Sequence, residues 1–169
     1  MKILETERLI LREITADDAA FTLDLLNQPS FIKYIGDRGV RDLEQARAFI
    51  EDRYRKSYRE HGYGLYVVEL KSEGSPVGIC GFVRRAELPA PDLGFAFLPQ
   101  YERKGYGFES AEAVLRFGSE SLGISHVLAI TSLDNEPSGR LLVKLGFVFE
   151  RFVESPSGEK LKLYARVPE

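Results

Sequence analysis

The chain has 169 residues, 29% of them charged and 44% hydrophobic, with a formal net charge of −3. That is enough for one domain with a sizeable core, and with no broad basic excess there is no reason to expect nucleic acid as a partner. Cys80 is the sole cysteine, which excludes an intrachain disulfide and fits a reducing compartment. No signal-like segment or apolar run of spanning length occurs, so a cytoplasmic protein without a membrane partner is expected.

Residues 8–14 alternate apolar and charged side chains, as a half-buried strand does. Thr15-Ala16-Asp17-Asp18 has the form of a capping box, a hydroxyl at the cap and a carboxylate three residues on. It opens a helix carrying Ala19, Phe21, Leu23, Leu25 and Leu26, which stops near Pro29. A short segment at 31–35 and a glycine-rich turn precede a second helix, from Asp42 to about Glu60. Its basic run, Arg53-Arg55-Lys56-Arg59, has the spacing of a solvated helix face.

After Gly62 the period changes. Residues 64–70, 77–83 and 92–98 read as three strands joined by short loops, an antiparallel meander. An amphipathic helix follows over 105–122, with Phe108, Ala111, Leu115, Gly118 and Leu122 on one stripe. Residues 126–131 form a buried-type strand, and 135–145 a shorter helix with Pro137 in its first turn. Two closing strands, 147–153 and 160–167, flank a Ser-Pro-Ser-Gly turn. A meander combined with crossover units indicates an α+β fold with a mixed sheet.

One junction stands out chemically. A strand runs into Arg103-Lys104-Gly105-Tyr106-Gly107, and a helix begins there. The first amides of a helix have no intrahelical partner, and the dipole favours an anion beside them. Gly105 and Gly107 remove side chains where a phosphate would approach, and Arg103 and Lys104 add charge. The loop is a candidate site for a phosphorylated ligand. It is not a nucleotide P-loop, since no Lys-Ser or Lys-Thr pair follows the glycines. His61 and His126 lack the spacing of metal ligands, and no metal is expected.

Several passages in order resemble the GCN5-related N-acetyltransferase (GNAT) superfamily and its RimJ/RimL-like branch. They are Glu5-Thr6-Glu7-Arg8-Leu9-Ile10-Leu11-Arg12, Asp92-Leu93-Gly94-Phe95 through Pro99, Lys104-Gly105-Tyr106-Gly107-Phe108-Glu109-Ser110-Ala111, and Asn135-Glu136-Pro137-Ser138 through Phe147. The resemblance implies a single domain over residues 1–169. It also implies a mixed, mostly antiparallel sheet with a splayed pair of strands, flanked by helices. The implied activity is acetyl transfer from acetyl-coenzyme A to a primary amine, on a protein N-terminus or a small molecule.

By the same resemblance, Arg103, Lys104, Gly105, Tyr106, Gly107 and Phe108 would wrap the coenzyme diphosphate. The strand bearing Phe95, Phe97 and Leu98 would pair with the pantetheine arm, and Asn135 and Ser138 would flank it. The loop departs from the common pattern at Glu102, where many members have Arg or Gln. Many also carry a tyrosine acid seven residues after the asparagine; here that position is Leu142, and Ser138 is the better-placed donor to the leaving sulfur.

An alkylammonium has a pKa of about 10, so the enzyme must take a proton from it and stabilise the developing oxyanion. Asp92 is the first candidate base, against a reading as an exposed loop carboxylate, and Glu69 the second, against structural pairing. The oxyanion donor is expected among the backbone amides near Phe97 and Leu98. Glu109 fits a role at the start of its helix. Tyr34, Tyr63 and Tyr66 are candidates for the acceptor groove, and Cys80 for the core. The acidic composition leans toward a cationic acceptor. A non-catalytic acyl-coenzyme A sensor is the competing function, and a homodimer is compatible with the sequence.

Overall fold

The computed structural model describes residues 1–166. The end of the expected final strand, Val167, lies outside the described residues. An eight-stranded sheet runs in the order β1-β2-β3-β4-β5-β6-β8-β7. Its strands are β1 (Lys2–Glu5), β2 (Leu9–Arg12), β3 (Leu65–Leu70), β4 (Ser75–Val83), β5 (Asp92–Phe97), β6 (Val127–Ser132), β7 (Val148–Glu154) and β8 (Lys160–Arg166). All neighbours are antiparallel except β5 and β6. The strand β1 has no counterpart in the sequence reading, because two adjacent apolar residues, Ile3 and Leu4, give no alternation to detect.

The capping box forms: Thr15 Oγ1 accepts from the Asp17 N–H, and Asp18 Oδ2 accepts from the Thr15 N–H at 2.9 Å. It leads into α1 (Ala19–Leu26), followed by α2 (Pro29–Tyr34) with proline in its first turn. Asp42 caps α3 (Leu43–Phe49), accepting from the Gln45 N–H at 2.7 Å. The helix then widens to a π-helical stretch, Ile50–Arg55, and ends as α4 (Lys56–His61). Such π segments often turn side chains toward functional sites. The second half of the chain adds α5 (Tyr106–Phe117) and α6 (Glu136–Lys144).

The strand period of two sorts the core into two layers. Leu9, Leu11, Tyr66, Cys80, Phe82 and Leu93 point to one face and pack with Ala111, Val114 and Leu115 of α5. Val67, Ile79 and Leu98 point to the other and meet Leu25, Leu26, Ala46 and Ile50 beneath α1 to α4. The sheet therefore separates an α5 side from an α1–α4 side.

Between β5 and β6 the ladder barely exists. A single register pair, Asp92 with Leu128, joins them, supported by the Leu128 N–H on the Pro91 carbonyl at 2.9 Å. The other edges are fully paired: β5 with β4 from Asp92 to Phe97, and β6 with β8 from Val127 to Ser132. Past Asp92 the two strands part.

Candidate active site

The gap has a chemical polarity that follows from strand register. The Leu98 N–H donates to the Val77 carbonyl at 2.9 Å. Backbone groups alternate sides along a strand, so Ala96, Gly94 and Asp92 also face β4, while Leu93 turns toward β6 at their one bridge and Phe95 and Phe97 turn theirs toward the gap. These are open backbone positions on a sheet edge, the arrangement that pairs with an extended ligand. Leu98 does not share it. Its N–H is spent on Val77 and its carbonyl accepts from the Tyr101 N–H at 2.9 Å, so as a backbone partner for a ligand it is replaced by Phe97.

Across the gap, β6 contributes Thr131. It shares parity with Val127 and Ala129, which belong to the α5-side core, and it lines the cleft. Its Oγ1 is buried with no hydrogen-bond partner among the described residues. A buried orphan hydroxyl is costly unless a ligand completes it. The sequence analysis had no signal for this, since the residue sits unremarkably in an apolar strand.

The anion loop stands at the open end. Arg103 has φ +62 and Gly105 φ +86, and α5 starts at Tyr106. Glycine is needed at 105 for that left-handed turn. The loop is braced from a distant part of the chain. Arg8, in the β1–β2 turn, donates through Nη1 to the Lys104 carbonyl at 3.0 Å and through Nε to Glu109 at 2.7 Å. Its guanidinium lies 4.6 Å from the Tyr106 ring centroid. Thr6 Oγ1 and the Arg8 N–H also donate to Glu109. Burial raises the Glu109 pKa, but these donors outweigh it and hold the carboxyl below its ordinary value. Lys144, over the Phe108 ring at 5.0 Å, adds a further cation on the cleft wall.

Asn135 caps α6, its Oδ1 accepting from the Ser138 N–H at 3.3 Å. Both residues line the cleft, whose volume is about 1270 Å³. Asp92 lies where β5 and β6 part, on the α1–α4 side, with only 1% of its surface exposed. Arg85 donates to it at 3.1 and 3.3 Å. Burial pushes the Asp92 carboxyl up to about 6; Arg85 pulls it down, and Glu87 adds a smaller push upward. Beyond it, Tyr34, Phe49, Arg53 and Tyr54 continue the wall.

The acetyltransferase (GNAT) domain family matches residues 8–148. The chain belongs to the GNAT acetyltransferases. An N-acetyltransferase of Bacillus subtilis (strain 168), YoaA, is 32% identical over 146 residues, covering 86% of this chain and 82% of that one. A GNAT-family acetyltransferase structure from Bacillus anthracis superposes with TM-score 0.80 at 26% identity, covering 99% of this chain and 98% of the other. The fold also matches RimL, the ribosomal L7/L12 α-N-protein acetyltransferase in complex with coenzyme A, with TM-score 0.84 at 16% identity over 99% and 98% of the two chains.

GNAT enzymes use acetyl-CoA as acyl donor, and the structure accommodates it on its own evidence: an open strand edge, an orphaned hydroxyl beside it, and a left-handed glycine turn at a helix start. Among the described residues no cluster of three or more His, Cys, Asp and Glu could hold a metal ion. No helix among them is long and apolar enough to cross a membrane.

The fold brings Asp92, Phe95, Phe97, Arg103, Gly105, Tyr106, Gly107, Phe108, Asn135 and Ser138 to the cleft wall. Lys104 lies in the loop behind it, its carbonyl held by Arg8. Glu69 is a correction. It pairs with Arg12 at 2.8 Å, and Arg12 also grips Asp18 at 2.7 Å, so this carboxylate serves a half-buried network between β2, β3 and the α1 cap. Two of the tyrosines are corrected too. Tyr66 is buried and stacks on Tyr58 at 5.6 Å, and Tyr63 packs edge-on against Phe82 at 6.0 Å. Tyr54, from the π-helical stretch, takes the place expected of them, and burial raises its pKa.

Proposed function

We propose that this GNAT enzyme transfers acetyl from acetyl-CoA to a primary amine by direct attack, with Asp92 as general base. The observation that carries this reading is a carboxyl buried at the point where β5 and β6 part, on the α1–α4 side and against Arg85; burial lifts its pKa to about 6. Acetyl-CoA supplies the activated thioester carbonyl. Arg103, Gly105, Tyr106, Gly107 and Phe108 hold its diphosphate, while Phe95 and Phe97 pair with the arm and Thr131 and Asn135 flank it.

Asp92 accepts the proton from the attacking amine, directly or through water. A base with a pKa a little below the working pH is ionised and still basic enough for the task. The amine nitrogen bonds to the carbonyl carbon and the carbon–sulfur bond breaks. The electron pair leaves on sulfur, and a proton reaches it from Ser138 or solvent. The gap-facing N–H nearer to Asp92, that of Phe95, is the donor suited to negative charge on the carbonyl oxygen, since Phe97 lies about 16 Å from Asp92 along the strand, beside the arm.

A cytoplasmic setting and a single catalytic unit over residues 1–169 belong to the same reading. The competing sensor reading has less support, because a binding module has no need of a carboxylate buried where β5 and β6 part. Incubation with acetyl-CoA and a panel of amines and N-terminal peptides, read by coenzyme release and product mass, tests it. A gain of one acetyl group on an amine is expected; tight coenzyme binding with no turnover on any amine would favour the sensor.

A further inference from the structure

The α1–α4 end of the cleft is lined by Arg38, Arg53, Arg84 and Arg85. They come from the loop after α2, the π-helical stretch and the loop after β4. In a chain of net charge −3, this is a local reversal of sign. The run containing Arg53 is a solvated helix face, and from it the exposed Arg53 also lines the cleft, while Arg59 pairs with Glu51 at 2.7 Å.

Among the described residues, Asp92 on Arg85 is the one carboxylate in ion-pair contact with this group. Asp52, Glu60 and Glu87 also line the cleft but make no ion pair with it. Arg84 donates to the carbonyls of Arg85 and Leu88, at 3.0 and 2.6 Å, neither of which is an anion. Arg53 lies over the Phe49 ring at 5.5 Å. The Arg38 pKa is held below its ordinary value, first by the protein around it and then by the charge of Arg85, with Arg53 adding to this and Tyr54 opposing.

Like charges gathered at the open mouth of a cleft repel, and an arriving anion relieves them. The guanidinium fork fits a carboxylate or phosphate with two parallel hydrogen bonds. We propose, on the footing of acetyl transfer at Asp92, that the acceptor amine carries an anionic group, a carboxylate or phosphate, which docks on Arg38 and Arg53 while the amine faces Asp92. The acceptor is then a zwitterion, with its positive end at the buried carboxylate and its negative end at the arginines. This reverses the expectation of a cationic acceptor, because a whole-chain charge does not describe one end of one cleft.

Matched amines test it: amino acids against their amides, and phosphoethanolamine against ethanolamine, all with saturating acetyl-CoA. The anionic member should win in kcat/KM by about tenfold or more, the worth of a charge-assisted hydrogen bond. Arg38→Gln and Arg53→Gln should shrink that preference by raising KM for the anionic member. The melting temperature of Arg38→Gln should not fall, since it removes a repelling charge, and that of Arg53→Gln should fall by no more than its contact with Phe49 is worth. The pair with the larger preference names the anion. Equal or better use of the neutral amines, or a preference that survives in both variants, overturns the docking site while acetyl transfer stands. If no amine is acetylated, the acetyl-transfer reading falls and this one with it.

Discussion

Asp92 and Arg85 meet at 3.1 Å on the α1–α4 side, at the one point where β5 and β6 are paired. The carboxylate is almost wholly buried and its partner half-buried, so burial, not the ion pair, dominates its proton affinity. That balance makes Asp92 a base with an acid limb near pH 6, and it has two measurable consequences.

In kinetics, kcat/KM for the acceptor should rise with pH through about 6 as Asp92 ionises. Asp92→Asn should lower turnover by roughly 10²- to 10⁴-fold and remove this limb. In stability, the folded pKa lies above the ordinary value of 3.8, so the native state favours the protonated form. The contribution is present at low pH and lost as pH rises through about 6. Relative to the native enzyme, Asp92→Asn should therefore gain stability between pH 4 and pH 7.5, on the order of 2 kcal/mol. Thermal melts at the two pH values check this; an unchanged difference would show that Asp92 is not held above its usual pKa.

Arg8→Ala removes the brace between the β1–β2 turn and the anion loop. The Lys104 carbonyl loses its donor and Glu109 its principal cation. KM for acetyl-CoA should rise about tenfold, the equivalent of one or two charge-assisted hydrogen bonds, with kcat little changed. Because Glu109 is held below its usual pKa, this brace is fully present above about pH 4.5 and is lost as pH falls further. Coenzyme affinity by calorimetry at pH 7.5 and pH 4 is the check.

Gly107→Trp should abolish coenzyme binding without unfolding the protein. A Cβ at this position would sit 3.2 Å from Leu141 Cδ2, a flexible side-chain end that can yield, and an indole would then fill the start of the gap. Calorimetry together with a melting curve separates the two effects. Unchanged affinity would move the coenzyme elsewhere.

Thr131→Val keeps shape and removes the orphaned hydroxyl. Without coenzyme the variant should be more stable by about 1 kcal/mol, because the desolvation penalty of an unpaired buried group disappears. With coenzyme it should bind more weakly, raising KM for acetyl-CoA several-fold. A stabilised protein with unaltered KM would mean that Thr131 meets no ligand.

Much of the architecture was legible because it rests on local physics. The capping box at Thr15 and Asp18 formed as spaced, since its hydrogen bonds lie within four residues. The three-strand meander, the apolar stripe of α5 and the glycine turn before it follow from periodicity and backbone sterics alone. The strand β1 escaped because four residues cannot display a period. Glu69 was left between base and structural partner because a mid-strand carboxylate looks the same whether it faces a substrate or, as here, Arg12.

By itself the sequence determined the order of elements from β2 onward and the anion loop, where Arg103, Gly105 and Gly107 lead directly into a helix. Tertiary structure alone decided which groups are chemically free. It buried Asp92 against Arg85, spent the Leu98 amide on Val77, tied Arg8 to Glu109 and gathered the arginines around one end of the cleft. The physical reason is that proton affinity and hydrogen-bonding capacity depend on solvent exclusion and on neighbours in space, and those neighbours lie up to about a hundred positions away along the chain.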